Sequence, residues 1–272
     1  MTTNERAPDG DRSYGSLRHR LDMPLAEAMM TQRAVRKVLP DPVDDDVVLR
    51  CIELALRAPT GSNGQNWEFV VVRDPAKKAA FAAQYRRAWK LYGGIGRRAV
   101  RDDPSMLKVL DAVDWQVRHF EEIPVLVVPC LVGPARFVPF PTLAQTSHYG
   151  SIFPSVQNLL LAARAMGLGA SLITLPLWST TFARRTLGLP LSVQPVCMVP
   201  LGWPRGRYGP TTRKHVGDVV HVDTWDHRPW PGRDVDIERD VAGGASGAGG
   251  ASGAGASGAA ADSHGGAGVV DR

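Results

Sequence analysis

Two side-chain amides stand two residues apart in the stretch RAPTGSNGQNWEF, residues 57–69. Asn63 and Gln65 each carry a donor and an acceptor, which suits the edge of an aromatic heterocycle bearing both. Two other stretches carry guanidinium groups. QRAVRK brings Arg33, Arg36 and Lys37, and GWPRGRYGPTTRK, which follows a buried apolar run at Gly202, brings Arg205, Arg207, Arg213 and Lys214. Arginine pairs bidentately with phosphate oxygens. Amides for a ring and arginines for a phosphate would together hold one anionic heterocyclic ligand. Residue chemistry alone fits three unrelated polar surface loops equally well.

Other chemistries find no support. GGIGRR at residues 93–98 lacks the G-x-G-x-x-G spacing and follows a helical pattern rather than a strand, so it reads as a loop between helices. There is no Walker A sequence and no G-x-S-x-G elbow. Cys51, Cys130 and Cys197 lie singly inside apolar runs with no CxxC, which points to buried free thiols in a reducing cytoplasm. The 7 histidines are dispersed, with no spacing that suits a metal. No apolar run reaches the length of a membrane span, and the N-terminus lacks the apolar core of a signal peptide. The net charge of +5 and pI near 9.3 leave room for nucleic acid, but the basic residues are scattered and form no stripe with interleaved aromatics.

The elements that must position these groups follow from apolar patterning. Asp22 and Pro24 mark a helix start, and Pro40 and Pro42 end that segment. Asp44 to Asp46 suit the positive end of a second helix, in which Val48, Cys51, Ile52, Ala55 and Leu56 recur at helical spacing. Further helices are expected over PAKKAAFAAQYRRAWKLYGG, PSMLKVLDAVDWQVRHFEE, SIFPSVQNLLLAARAMGLG and STTFARRTLGL. WEFVVV, PVLVVPCLVG, ASLITL and VQPVCMVPLG read as buried strands, and VGDVVHVDTW as an edge strand or extended arm. A long loop is expected over 133–150. Helices alternating with buried strands define a central sheet covered by helices, α/β or α+β. The expected organisation is a flexible arm over 1–22, one folded domain over 23–230, and a disordered Gly/Ala/Ser-rich tail over 231–272.

QRAVRKVLPDPV, ALRAPTGSNGQNWEFVVV, SVQNLLLAARAMGLGASL and VCMVPLGWP, with a late TTRK, occur in that order. Together, over about residues 25–225, they resemble the nitroreductase family of FMN-dependent oxidoreductases. The resemblance implies an α+β fold with a central mixed sheet flanked by helices, and an intertwined homodimer whose two FMN sites use both chains. In that family an R-x-[SA]-x-[RK] segment grips the FMN phosphate and ribityl, a role that falls here to Arg33, Ala34 and Arg36. The family's P-[ST]-G-x-N-x-Q-P-W bend runs here from Pro59 to Trp67, making Asn63 and Gln65 cofactor ligands while Trp67 packs in the core. Its glycines are expected to let the backbone approach the flavin. The strand after GLGA points to Thr174 and Leu175, and the late basic segment to Arg213, with Gly202 at the strand end. Two departures stand out: Asn66 replaces a proline, and Pro176 removes an N–H near the flavin.

The implied activity is hydride transfer from NAD(P)H through FMN, in ping-pong fashion, to a nitroaromatic, quinone or other electron-poor acceptor. No side chain is required as a nucleophile. His148 and Tyr149 could contact substrate or serve the surface or core. The same fold also supports dehalogenation, desaturation or flavin-consuming chemistry, and region 85–122 is expected to cover the active site and set that choice. A third class is a non-enzymatic basic binding protein. Flavin colour separates the third from the first two. The apolar character of helix 151–167 suits burial between two subunits.

Overall fold

The strand Val125–Val132 (β2) is buried along nearly its whole length, and its side chains alternate between two apolar layers. Val125, Val127 and Leu131 face one layer; Leu126, Val128 and Cys130 face the other. This is the two-residue period of a strand covered on both faces. In the computed structural model, which describes residues 11–133 and 143–234, β2 is the centre of a five-stranded sheet. Its neighbours are Trp67–Val72 (β1) on one side, and Val193–Pro195 (β4) and Val199–Gly202 (β5) on the other; Gly169–Ala170 (β3) pairs with β5. All these ladders are antiparallel. The described residues make one parallel contact, the bridge between Ala34 and Ala170.

VQPVCMVPLG, expected as one strand, is split in two. β4 pairs with Cys130 to Val132 and β5 with Val125 to Val127. The break faces Pro129, which has no N–H to give a ladder. The Pro129 carbonyl still accepts from Val196 N at 2.9 Å. The expected strand over ASLITL shrinks to β3 plus a single bridge from Ile173 to Met198. Thr174 then caps a 3-10 turn, Leu175–Leu177.

The helices are Tyr14–Leu17 (α1), Leu25–Thr31 (α2), Asp45–Ala55 (α3), Pro75–Ala99 (α4), Pro104–Arg118 (α5), Leu143–Ala165 (α6) and Thr180–Leu187 (α7). Asp44, Asp74, Asp103 and Ser179 cap α3, α4, α5 and α7, each accepting from first-turn backbone N–H groups. Residues of α1, α3 and α6 fill the first layer with Trp67. The second layer holds residues of α4, α7 and the 3-10 turn Phe120–Glu122.

Three expectations give way. GGIGRR lies inside α4, not between helices. A Cβ on Gly93 would meet the Trp89 ring at 2.7 Å, so this glycine makes room for the indole. α6 begins at Leu143, inside the stretch expected as a loop, and continues through Pro154; residues 134–142 lie outside the described residues. Ile152, Val156, Leu159 and Ala163 of α6 are fully buried within one chain, while Phe153 stays exposed. Finally, α1 and a 3-10 turn, Arg18–Asp22, form within the expected arm and bury Leu17; Pro24, not Asp22, precedes α2.

The chain divides into two compact units, Met1–Thr212 and Arg213–Arg272. The second, described through Asp234, holds a 3-10 turn, Val216–Asp218, where an edge strand was expected. Left-handed Asp223 (φ 60°) and Asp226 (φ 70°) turn the chain there. The tail beyond 234 lies outside the described residues.

Candidate functional site

RAVRK is threaded along the sheet edge. Val35 N donates to Ala170 O at 2.8 Å, Leu39 N to Trp203 O at 2.7 Å, and Arg205 N to Lys37 O at 3.0 Å. Two glycines permit this approach: a Cβ on Gly169 would meet Val35 Cγ1 at 2.6 Å, and one on Gly202 would meet Val38 Cβ at 3.0 Å. Gly202 is thus buried under the threaded segment. Ala34 makes the bridge to Ala170.

Arg33 and Arg36 leave this segment in different surroundings. Arg33 is exposed, donates to Gly209 O at 3.4 Å, and lines a cleft with Gln32, Arg164, Ala170 and Tyr208. Arg36 is half-buried, and its Nε is a buried donor without a hydrogen-bond partner. Burial lowers the Arg36 guanidinium below the ordinary arginine value; nearby Tyr85 opposes that effect and Arg33 adds to it. With Ala34 at the small position and Arg36 at the last, the pattern R-x-[SA]-x-[RK] begins at Gln32 rather than Arg33. Gln32 lines the same cleft, so a neutral amide occupies the first basic position.

The amide bend contains a run of backbone that glycine usually takes. Ser62 (φ 51°), Asn63 (φ 53°) and Gln65 (φ 46°) are left-handed, whereas Gly64 (φ −66°) is not. The left-handed backbone thus falls on side-chain-bearing residues rather than on Gly64. Gly61 instead lies against α6: its N–H donates to Ser151 Oγ at 3.3 Å, and a Cβ there would meet Ser147 Oγ at 2.6 Å. Left-handed backbone on side-chain-bearing residues costs about 1–2 kcal/mol each, and such residues cluster at ligand sites. Gln65 Nε2 donates to Asn63 Oδ1 at 3.2 Å, and both side chains are exposed. Gln65 lines a second cleft with Thr60, Asn66, Ser147 and His148.

These two clefts share no lining residue. Ser151 bounds one and Leu160 the other, 9 residues apart on α6. At ~1.5 Å per residue the separation along the helix is about 14 Å. One chain thus brings Arg33, Ala34 and Arg36 together beside β3, and keeps Asn63 and Gln65 apart from them. Thr174 is exposed, and Leu175 packs against the second apolar layer; their carbonyls accept from Leu177 N (2.9 Å) and Trp178 N (3.1 Å). Arg213 opens the second unit.

Sequence reasoning passed over Gln32, Arg164, Tyr208, Ser147 and Ser151. Only Gln32 was accessible, through the register of the motif; the others reach the clefts by tertiary folding. The three cysteines are buried and free, and burial pushes each thiol up to about 12. They are inert packing groups. Among the described residues no His, Cys, Asp or Glu cluster could hold a metal ion, and no helix is long and apolar enough to cross a membrane.

A threaded basic segment, an amide bend and an antiparallel sheet between two helical layers are the parts of a known family. The chain belongs to the nitroreductase family, whose model matches residues 29–203. It is 28% identical over 204 residues to a Thermus thermophilus protein named NADH dehydrogenase, covering 71% of this chain and 93% of that one. It is also 28% identical over 186 residues to a 5,6-dimethylbenzimidazole synthase of Rhodospirillum rubrum, covering 64% and 79%. Among solved structures it resembles an iodotyrosine deiodinase bound to FMN and 3-iodo-L-tyrosine, with TM-score 0.59 and 21% identity over 74% of this chain and 100% of the other. An FMN complex of a nitroreductase-like protein from Desulfovibrio desulfuricans gives TM-score 0.55 and 21% identity, covering 75% and 99%. At these identities the structures establish the fold.

Proposed function

We propose that this protein is an FMN-dependent oxidoreductase that passes hydride equivalents from NAD(P)H to an electron-poor small molecule. The carrying observation is Arg36: a guanidinium with a buried, unpartnered Nε, on a segment stitched into the sheet edge beside Arg33. A buried donor of this kind calls for an acceptor. An anionic cofactor rich in acceptor oxygens fits these residues.

Bound there, FMN would supply the redox chemistry, and the protein orientation and charge. Arg33 and Arg36 would offset the phosphate and ribityl oxygens, with Ala34 allowing close approach. Asn63 and Gln65 would exchange their mutual hydrogen bond for contacts to the ring edge. Thr174 and Leu175 would lie beside the ring, where Pro176 limits the supply of backbone N–H groups. Because the two clefts share no lining residue within one chain, the proposal assigns Asn63 and Gln65 to the site of a second copy.

Purified protein should be yellow, and anaerobic NADH or NADPH should bleach it. Reoxidation by nitroaromatics and quinones, compared with halogenated aromatics, separates reductase chemistry from the dehalogenation suggested by the deiodinase likeness. Protein that stays colourless with excess FMN refutes the proposal. An Arg33→Ala chain mixed with a Gln65→Ala chain should regain about a quarter of the wild-type sites if sites are shared, since random pairing leaves one site in four with both residues intact. No recovery on mixing overturns the shared site.

A further inference from the structure

Gln116 and Ser171 are two of the three polar or charged residues fully buried among the described residues, and they touch. Gln116, in the last turn of α5, donates from Nε2 to Ser171 Oγ at 3.1 Å. Its Oε1 accepts from Tyr85 Oη of α4 at 3.5 Å. Tyr85 is itself 2% exposed. The contacts run through an apolar layer of Val35, Val38, Phe120, Leu126 and Ile173. Leucine or methionine would fit that layer without the cost of burying amide and hydroxyl groups, roughly 1–3 kcal/mol apiece when unpaired.

The position of this chain of contacts suggests what it does. Ser171 follows Ala170, whose carbonyl holds Val35 N, and it precedes the stretch that ends at Thr174 and Leu175. At the other end, Tyr85 is buried in the same apolar layer as Val35 and Val38 of the threaded segment. A hydrogen-bonded line therefore runs from Tyr85 of α4 through Gln116 of α5 to Ser171, the residue that follows β3.

We infer that Gln116 is a positioning residue: with Tyr85 and Ser171 it couples the α4–α5 hairpin to the cofactor site, fixing the backbone at 171–175. This rests on the FMN proposal above. It gives the hairpin a way to adjust a cofactor without touching it.

The test is a paired apolar replacement, Gln116→Leu with Ser171→Ala, made together with Tyr85→Phe so that no buried hydroxyl is left without its partner. The FMN-free variant should melt within about 3 °C of wild type. Its affinity for FMN should fall about tenfold, the scale of one lost hydrogen bond, and amide hydrogen exchange across 172–175 should quicken. Gln116→Glu, held neutral by burial and so still able to donate to Ser171, should keep FMN affinity within about threefold of wild type. Unchanged FMN affinity and exchange in the paired variant overturn the inference, as does an equal loss in Gln116→Glu. A wild type that binds no FMN removes the cofactor proposal and this inference together, and is told apart because the failure then precedes any substitution.

Discussion

Gln65 donates its side-chain amide to Asn63 across 3.2 Å while both residues hold left-handed backbone. The two amides are thus presented side by side at the cost of conformational strain that includes Ser62. Ser62 offers the cleanest probe of that strain. Ser62→Gly should stabilise the FMN-free protein by about 0.5–1 kcal/mol, because glycine takes φ 51° freely. Ser62→Val should destabilise it by about 2 kcal/mol, since a β-branched residue resists this conformation. Urea denaturation measures both, and a valine variant as stable as wild type would remove strain from the account.

The bend is also fitted against α6 through Gly61. Gly61→Ala should cost about 1–3 kcal/mol, as overpacking does, because its Cβ would lie 2.6 Å from Ser147 Oγ. Removing that oxygen with Ser147→Ala should recover most of the loss, the next Ser147 atom being 4.0 Å away. A thermal-melt double-mutant cycle reads this coupling, and strict additivity of the two substitutions would contradict the fit.

Arg33 should distinguish ligands by their phosphate. A charge-assisted hydrogen bond is worth about 1.5–3 kcal/mol, so Arg33→Ala should weaken FMN about tenfold to a hundredfold. Riboflavin, lacking the phosphate, should bind wild type and variant alike. Fluorescence titration with both ligands decides the matter: equal losses for the two would place Arg33 away from the phosphate.

In the second unit, His215 Nδ1 meets Asp234 Oδ2, and Asp234 Oδ1 accepts from Val216 N at 2.9 Å. The hydrogen bond to Asp234 raises the His215 imidazole above its ordinary 6.5, while the backbone bond from Val216, followed by the one from His215, lowers the Asp234 carboxyl below 3.8. The sign follows directly. The histidine's contribution is complete below pH 6.5 and disappears as pH rises through the raised value; the aspartate's is complete above 3.8 and disappears as pH falls through the lowered one. An NMR titration of His215 should show a midpoint above 6.5 that returns to 6.5 in Asp234→Asn. A wild-type midpoint at or below 6.5 would show that the pair does not form.

Much of the scaffold was legible because burial writes itself in long apolar runs. PVLVVPC could only be a strand between two covered faces, and the aspartates before α3 announced its start; WEFVVV is a strand, but at the sheet edge with Glu68 and Val71 exposed, not buried as expected. The misreadings share one cause, residues judged by their local habit. Gly93 and Gly96 suggested a loop, yet Gly93 serves Trp89 within a helix. The stretch 133–150 suggested a loop, yet α6 begins within it at Leu143. At the candidate site, residue types revealed which groups could bind a ligand. They could not reveal that left-handed backbone falls on Ser62, Asn63 and Gln65, or that α6 separates the two clefts. Those are tertiary facts with no local signature.

The threading of Val35–Leu39 into the sheet edge also sets a clock for biosynthesis. Arg205 bonds the Val38 carbonyl across 167 residues of sequence. At about 5–20 residues per second, that separation delays the partner by roughly 8–33 s after Val38 is made. During this interval the N-terminal segment leaves the ribosome with an unpaired backbone edge, the kind of edge that recruits foreign strands. A chain interrupted before residue 200 could still pair Val35 with Ala170 but would lack Trp203 and Arg205, the partners of Leu39, Lys37 and Val38. Completion of the site is therefore a late event in the life of the polypeptide, and proteins that shield nascent chains would find their client surface at its beginning rather than its end.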